Sequence, residues 1–271
     1  MRRIELDNPA GVRYMPASPC GTGVLVLGGS SGRIEESRAR LLASRGAVAE
    51  SIGWIGRGPW EVPIELFQSR VADLRQHCDR VVLMGTSFGA EAALVTAAHT
   101  PAVQAVIAVA PSDVVWAGVR ADQTQTSHWT LGGRPLPFIA FDEQWQPDTD
   151  PPAFRALYEL SWRQASNVPS ATIASDRIPE VVLITGGDDQ VWPAAEQARR
   201  IIEKRRSAGR PTVHVHHPEA GHHAILPGED APASDQRMLR GGSLRANEEL
   251  GALAWPRIIE AARLVSRSTR P

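Results

Sequence analysis

Short apolar runs alternate with helical patterns along most of the chain. Strands are predicted for five runs rich in β-branched residues and for one weaker run: 23–29, 80–85, 103–111, 180–187, 212–218 and, weaker, 47–56. Helices are predicted for the segments with apolar positions at helical spacing: 34–46, 63–78, 90–100, 194–209 and 247–266. This alternation predicts an α/β fold with a mostly parallel sheet that helices cover on both faces.

One stretch interrupts the alternation. Residues 111–178 contain four tryptophans among glycine, proline and polar residues, and the stretch is too long for an ordinary connection. We therefore expect a single domain over 1–271 with a cap-like insertion at about 111–178, over the active site. Its aromatic side chains either line an apolar acyl pocket or fasten the insertion to the body. The candidate pocket residues are Trp54, Trp116, Trp129 and Trp192.

Composition narrows the classes of function. The chain has 271 residues, 42% hydrophobic content and a net charge of -1, so it has no basic field for nucleic acid. It has no apolar run of the roughly 20 residues that a membrane span needs, and its start lacks the apolar core of a signal peptide. We expect a cytoplasmic protein. Cys20 and Cys78 are interpreted as ordinary thiols, and no cofactor or metal is expected.

The segment "GTSFG" places Ser87 between Gly85 and Gly89, where a predicted strand passes into a predicted helix. A G-x-S-x-G match is weak by itself, but a serine at this junction lies on a sharp turn that presents its hydroxyl above the sheet. The flanking positions need glycine because side chains there would crowd the backbone. Ser87 is thus a candidate nucleophile, with a structural turn as the alternative.

A serine nucleophile needs a base, and the base needs an acid that fixes its tautomer. The strand at 180–187 runs into "DDQVWP", so Asp189 is the preferred acid and Asp188 the alternative. "PEAGHHAILPG" follows the last strand and supplies His222 as the preferred base and His223 as the alternative. Both segments lie where the carboxyl ends of the strands build sites.

Other histidines allow a competing interpretation. His214, His216 and His217 lie on or beside the last strand, and the first two alternate onto one face. They could form a metal cluster, but no matching carboxylate or thiol spacing accompanies them. We therefore favour ordinary surface or core histidines.

The oxyanion hole of such a site needs two backbone amides. One comes from the residue after the nucleophile, Phe88, and the other from the loop after the first predicted strand. That loop is "GGSSG", and Ser30 is assigned the second amide, with Ser31 as the alternative. A plain glycine-rich turn is the competing interpretation; a dinucleotide fingerprint is not supported because no G-x-G-x-x-G opens the helix.

These segments also carry a family resemblance. The chain resembles the catalytic domain shared by acyl-CoA thioesterases and bile acid-CoA:amino acid N-acyltransferases, from about Gly23 to the C-terminus, in the motifs "GGSSGRIEESRARLLASRG", "GTSFGAE", "WTLGGRPLPFIAFD", "ITGGDDQVWP" and "EAGHHAILPG". The resemblance implies an α/β-hydrolase fold acting on thioesters, with the nucleophile, acid and base at Ser87, Asp189 and His222. We expect no N-terminal β-sandwich domain, common in that family, in the residues before Gly23.

Two positions differ from the family's pattern. Its amino-acid transferases use cysteine at the elbow, where this chain has Ser87, and Phe88 replaces a lysine that animal members commonly carry. We therefore expect hydrolysis in preference to transfer.

The predicted function is that of a serine hydrolase that cleaves an acyl-CoA or a carrier-bound acyl group through a Ser-His-Asp triad. The alternatives are a carboxylesterase or lactonase, an acyltransferase, and a non-catalytic binding protein on the same fold. The last is disfavoured because no triad member is missing. The sequence leaves the acyl chain and the oligomeric state open.

Overall fold

The structure is a computed structural model that describes residues 1–56, 58–230 and 237–265. The strands are β1 (Arg2–Asp7), β2 (Ala10–Met15), β3 (Thr22–Leu27), β4 (Val48–Ile52), β5 (Val62–Pro63), β6 (Arg80–Thr86), β7 (Ala105–Val109), β8 (Ala117–Val119), β9 (Gln125–Ser127), β10 (Trp129–Leu131), β11 (Arg134–Pro135), β12 (Glu180–Gly186) and β13 (Val213–His217). The helices are α1 (Glu36–Ala43), α2 (Glu65–Arg75), α3 (Phe88–Ala98), α4 (Arg155–Gln164), α5 (Val168–Ala171), α6 (Ala194–Ser207) and α7 (Leu244–Ala261).

Eight strands form the main sheet, in the order β1-β2-β4-β3-β6-β7-β12-β13. The neighbours from β4 to β13 pair in parallel, whereas β1 and β2 pair antiparallel with each other and β2 with β4. The mostly parallel sheet predicted from the sequence is confirmed. The β1–β2 hairpin was not predicted. Because the parallel strands of this sheet all run in the same direction, the loops that follow β3, β6, β12 and β13 lie at its carboxyl edge.

Two apolar cores, one on each face, hold the helices against the sheet. Successive residues of β3 alternate between them: Leu25 and Leu27 join the core under α2, α3 and α6, while Val24 and Val26 join the core under α1 and α7. Burial on both faces explains why these strands read as continuous apolar runs. All residues of α3 are buried, so this helix lies deep inside the molecule.

The insertion is held together by short strands and is attached to α3. β8 and β9 form a hairpin, and β10 pairs with β11 and with β5, which precedes the insertion in the chain. The Glu91 side chain, on α3, accepts hydrogen bonds from the Trp116 amide (3.1 Å) and from Trp129 Nε1 (2.8 Å). One buried carboxyl group therefore joins the insertion to the central helix.

The last helix begins earlier than the sequence pattern indicates. Residue Ser243 caps α7 by accepting a hydrogen bond from the Ala246 amide, so the helix starts at Leu244, three residues before the predicted start. It ends at Ala261, before the predicted end at residue 266, because residues 262–265 are described and are not helical. Across the described ranges, every helix is too short or too polar to cross a membrane.

Candidate active site

Ser87 lies on a strained turn between β6 and α3. Its backbone has φ 59° and ψ -126°, a conformation that residues other than glycine adopt rarely and at a cost. A Cβ on Gly85 would lie 2.0 Å from the Gly89 carbonyl oxygen, and a Cβ on Gly89 would lie 2.3 Å from that of Gly28. Both flanking positions therefore require glycine, as the sequence pattern predicts.

The surroundings of Ser87 hold this turn in place. The Ser87 amide donates to the carbonyl of Val109 in the neighbouring strand β7 (2.9 Å), and its own carbonyl accepts from the amides of Ala90 and Glu91. The side chain lies at the N-terminal end of α3, where the unpaired amides of the first turn create a positive potential. An oxyanion that forms beside Ser87 is stabilised by this potential.

Asp189 and His222 form a buried hydrogen-bonded pair. Asp189 follows β12, His222 follows β13, and His222 Nδ1 lies 2.8 Å from Asp189 Oδ2. The other carboxylate oxygen, Oδ1, accepts from the amides of Val191 (2.8 Å) and Trp192 (3.2 Å). Asp189 is completely buried and His222 is 3% exposed. The acid is thus held rigidly and orients the imidazole.

The adjacent candidates have other partners. Asp188 is exposed, and its carboxylate accepts from the Gly242 amide (2.7 Å) and from the Gln190 side chain (2.6 Å). His223 Nε2 lies 2.7 Å from the Arg240 guanidinium, which can only donate. Burial, together with the nearby His222 and Arg240, holds the pKa of His223 well below its usual value. Asp188 and His223 therefore bond other loop residues, and neither takes part in the hydrogen bond between Asp189 and His222.

Ser87 lies at the same sheet edge as this pair but is not bonded to it. In the described part of the chain, no hydrogen bond joins Ser87 Oγ to His222. Two aromatic contacts connect the residue after Ser87 to the base: the Phe88 ring lies 5.3 Å from the Trp192 ring, and the Trp192 ring lies 5.8 Å from the His222 ring. Bonds between a nucleophile and its base are often long without substrate, so this geometry is compatible with a triad.

The loop assigned to the oxyanion hole lies against Ser87. Ser30 and Ser31 are the central residues of a turn in which the Gly32 amide donates to the Gly29 carbonyl (2.8 Å). A Cβ on Gly29 would lie only 3.4 Å from the Cβ of Ser87. Over the residues that the structure describes, the Ser30, Ser31 and Phe88 amides have no acceptor. They are available to a ligand, and the two serine amides lie in the same turn.

The four tryptophans proposed to line a pocket are buried. Trp54 is 2% exposed, and Trp116, Trp129 and Trp192 are completely buried. Three of the indole N–H groups have protein acceptors: Gly28 O for Trp54, Ser112 Oγ for Trp116 and Glu91 Oε1 for Trp129. A buried indole with a paired N–H is typical of packing, so these side chains fasten the insertion to the body.

An open cavity of about 620 Å³ lies on the insertion. It is lined by residues 135–138, 140–142, 161 and 164–167. None of the predicted site residues is among them. The cavity adjoins the core through Phe141, whose ring stacks on Trp116.

The histidines of β13 do not gather ligands. Thr185 Oγ1 lies between His214 Nε2 (2.8 Å) and His216 Nδ1 (3.0 Å). His217 pairs with Glu249 at 3.2 Å. No group of three or more His, Cys, Asp or Glu side chains that could hold a metal is present in residues 1–56, 58–230 and 237–265.

Arg38 links the turn at Ser87 to the loop that carries His222, and it was not identified from the sequence. Its guanidinium contacts both carboxylate oxygens of Glu229 (2.6 and 2.9 Å), Thr86 Oγ1 (3.0 Å) and the Ala224 carbonyl (3.1 Å). Thr86 precedes the candidate nucleophile, and Ala224 lies two residues after the candidate base. No sequence signal distinguishes Arg38 from Arg40, the other arginine of α1, because the partners of Arg38 are distant along the chain.

The buried His128 was also missed. Its ring stacks on Phe88 with 4.3 Å between centroids, and among the described residues only the backbone of Ala117 is in hydrogen-bonding contact with its ring nitrogens. A lone histidine in an irregular stretch carries no pattern that would reveal this position.

Comparison with solved structures supports the fold. An esterase domain from a Rhodothermus marinus protein is 18% identical, with a TM-score of 0.52, and the match covers 98% of this chain and 99% of that chain. A Mycobacterium tuberculosis puromycin-hydrolyzing peptidase (16% identity, TM-score 0.60) is matched over 100% of this chain and 40% of its own. A Pyrococcus horikoshii acylaminoacyl peptidase (12% identity, TM-score 0.59) is matched over 99% and 42%. At these identities the likeness shows the fold alone.

Comparison with families is more specific. A search of curated proteins found no match. The profile of the family described as "BAAT / Acyl-CoA thioester hydrolase C terminal" matches residues 62–260, which include the elbow, the acid and the base. This family and the α/β-hydrolase fold, both expected from the sequence, are confirmed, and they indicate a hydrolase of the esterase and thioesterase kind. The chain belongs to the BAAT / acyl-CoA thioester hydrolase C-terminal family.

Proposed function

We propose that this protein is a serine hydrolase that cleaves acyl thioesters, either acyl-CoA or a carrier-bound acyl group. Ser87 is the nucleophile, His222 the base and Asp189 the acid. The observation that carries the proposal is the buried 2.8 Å bond between Asp189 and His222, at the sheet edge where Ser87 occupies a strained turn. A strained backbone and a buried pair of ionisable side chains both cost folding free energy, and such features are typical of functional sites.

In the proposed reaction, Asp189 holds the proton of His222 on Nδ1, so Nε2 is free to accept. His222 takes the proton of Ser87 as Oγ attacks the acyl carbonyl carbon. The oxyanion that forms accepts hydrogen bonds from the Phe88 amide and from the Ser30 or Ser31 amide. When the C–S bond breaks, His222 returns the proton to the thiolate, and an acyl-enzyme ester remains on Ser87.

Water completes the cycle. His222 removes a proton from the water molecule, which attacks the acyl-enzyme carbonyl. The second oxyanion collapses, the proton moves to Ser87 Oγ, and a carboxylic acid leaves. The family membership supports a thioester as the first substrate, while an oxyester would pass through the same steps with an alcohol as leaving group.

Thiol release from short, medium and long acyl-CoA thioesters tests the proposal. The wild-type protein is compared with Ser87→Ala, and p-nitrophenyl esters of the same acyl chains serve as the oxyester control. We expect thiol release that depends on Ser87 and exceeds oxyester hydrolysis. Oxyester hydrolysis alone would retain the triad but contradict the thioester assignment, and equal activity in Ser87→Ala would contradict the nucleophile.

A further inference from the structure

Two buried side chains near the elbow leave a polar atom without a hydrogen-bond partner among the described residues: Trp192 through Nε1, and His128, whose imidazole is in hydrogen-bonding contact with the backbone of Ala117 and has a second nitrogen to spare. His128 is 2% exposed and Trp192 is completely buried. A buried polar group without a partner costs about 1–3 kcal/mol, and such groups are rare in folded proteins. Two side chains in this state therefore need an explanation beyond packing.

Both side chains contact the residue that follows the nucleophile. The Phe88 ring stacks on His128 at 4.3 Å, with an angle of 21° between the planes, and lies 5.3 Å from the Trp192 ring. Trp192 also contacts the ring of His222. The unpartnered atoms thus belong to the aromatic shell around the proposed catalytic residues, and not to a remote part of the core.

The chemistry of these atoms limits the ligand. Burial lowers the pKa of His128 to about 3, so the imidazole is neutral; its N–H faces the Ala117 backbone, and its other nitrogen is an acceptor. Trp192 adds one donor. A hydroxyl group can accept from Trp192 and donate to His128, whereas an alkyl chain leaves both atoms unpaired. A carboxylate would lose its hydration without gaining an opposite charge.

We propose that His128 and Trp192 form a polar subsite that binds a neutral hydroxyl group on the acyl chain, close to the reacting carbonyl. The preferred substrates are then hydroxyacyl thioesters. This inference rests on the proposed function, since it assigns the acyl part of the same substrate. Phe88 lies against both side chains and is 8% exposed, so displacement of its ring opens the subsite.

Matched substrate pairs test the proposal. Turnover of β-hydroxyacyl-CoA and of unsubstituted acyl-CoA with equal chain length is measured for the wild-type protein, and the ratio of kcat/KM values is taken. We expect a ratio above one that falls by about tenfold or more in His128→Phe, because phenylalanine keeps the aromatic contact but cannot bond the hydroxyl. Trp192→Phe removes one donor and lowers the ratio in the same direction.

Trp116→Phe is the matched control. It makes the same chemical change to a buried indole, but the Trp116 N–H is already bonded to Ser112 Oγ (2.9 Å) and its ring has no contact with Phe88 among the described residues. We expect the hydroxyacyl to acyl ratio to stay at the wild-type value in this variant. A fall equal to that of His128→Phe would contradict the subsite.

Two further measurements separate the subsite from its alternatives. If His128→Phe loses thermal stability while the ratio stays constant, its nitrogens bind an internal water molecule and the subsite is refuted. Calorimetric binding of a free hydroxy acid and of its unsubstituted analogue to Ser87→Ala does not depend on turnover. Preference for the hydroxy acid that His128→Phe abolishes supports the subsite even if thioester hydrolysis fails, and equal binding overturns it.

Discussion

The role of the acid is tested by replacing each of two adjacent aspartates with asparagine. In Asp189→Asn, the side-chain oxygen can still accept from the Val191 and Trp192 amides, so the new NH₂ group faces His222 Nδ1. This reverses the hydrogen bond. The imidazole must then carry its proton on Nε2, where the proton blocks transfer from Ser87.

The magnitudes expected at the two positions differ widely. A wrong tautomer with intact geometry costs about 10⁴-fold in kcat, or about 5 kcal/mol of transition-state stabilisation. In Asp188→Asn, the side-chain oxygen can keep the bond to the Gly242 amide, and the exposed position has no contact with His222. We expect that variant to retain kcat within about threefold, as is usual for surface changes.

The assay is steady-state hydrolysis of the best thioester from the panel, with kcat and KM measured for both variants. Thermal unfolding shows whether each variant is folded. The reasoning would be refuted if Asp188→Asn lost more activity than Asp189→Asn, or if Asp189→Asn kept most of the wild-type kcat.

Two further predictions concern groups that the sequence did not reveal. Burial raises the pKa of Glu91 to about 8, so the folded protein keeps a proton that the unfolded chain releases above its ordinary value of 4.5. This contribution to stability is complete below about pH 4.5 and is lost as the pH rises through about 8, and urea unfolding should show that Glu91→Gln loses less stability between about pH 5 and about pH 9 than the wild type. Arg38→Met should lower kcat by about 10- to 100-fold with little change in KM, because the bridge from Thr86 to Ala224 is lost. Arg200→Met, which breaks a bidentate pair with Asp113 in the insertion, is the matched control and should retain kcat, and equal losses would contradict the positioning role.

The central strands and the elbow could be predicted because their physical requirements are local. A parallel strand buried on both faces needs a continuous apolar run, and β3 and β6 supply one. The turn at Ser87 requires glycine two residues before it and two residues after it, and that requirement is visible in five residues. The candidate acid and base could be narrowed to two residues each from their positions after strands.

Other features depend on contacts that the sequence does not encode locally. The choice between Asp188 and Asp189 follows from which carboxylate the loop turns inward, and the two carboxylates bond groups that are distant along the chain, the His222 ring and the Gly242 amide. The β1–β2 hairpin carries weak alternation around an Asn8–Pro9 turn, a signal that could have revealed it.

The tryptophans show a different limit. A large aromatic residue satisfies a pocket wall and a packed core equally well, so composition does not separate the two roles. Trp116 and Trp129 are assigned to the core because both side chains are buried and both indole N–H groups have a protein acceptor. His128 is the opposite case, because its proposed role is inferred from a buried ring nitrogen that lacks a hydrogen-bond partner among the described residues.

The most direct test of the account is labelling of the protein with a fluorophosphonate, followed by intact mass measurement and peptide mapping. The account predicts one adduct per chain, located on Ser87, and none in a folded Ser87→Ala variant. An adduct on another residue, or a folded wild-type protein that takes up no label, would contradict the assignment of Ser87 as an activated nucleophile.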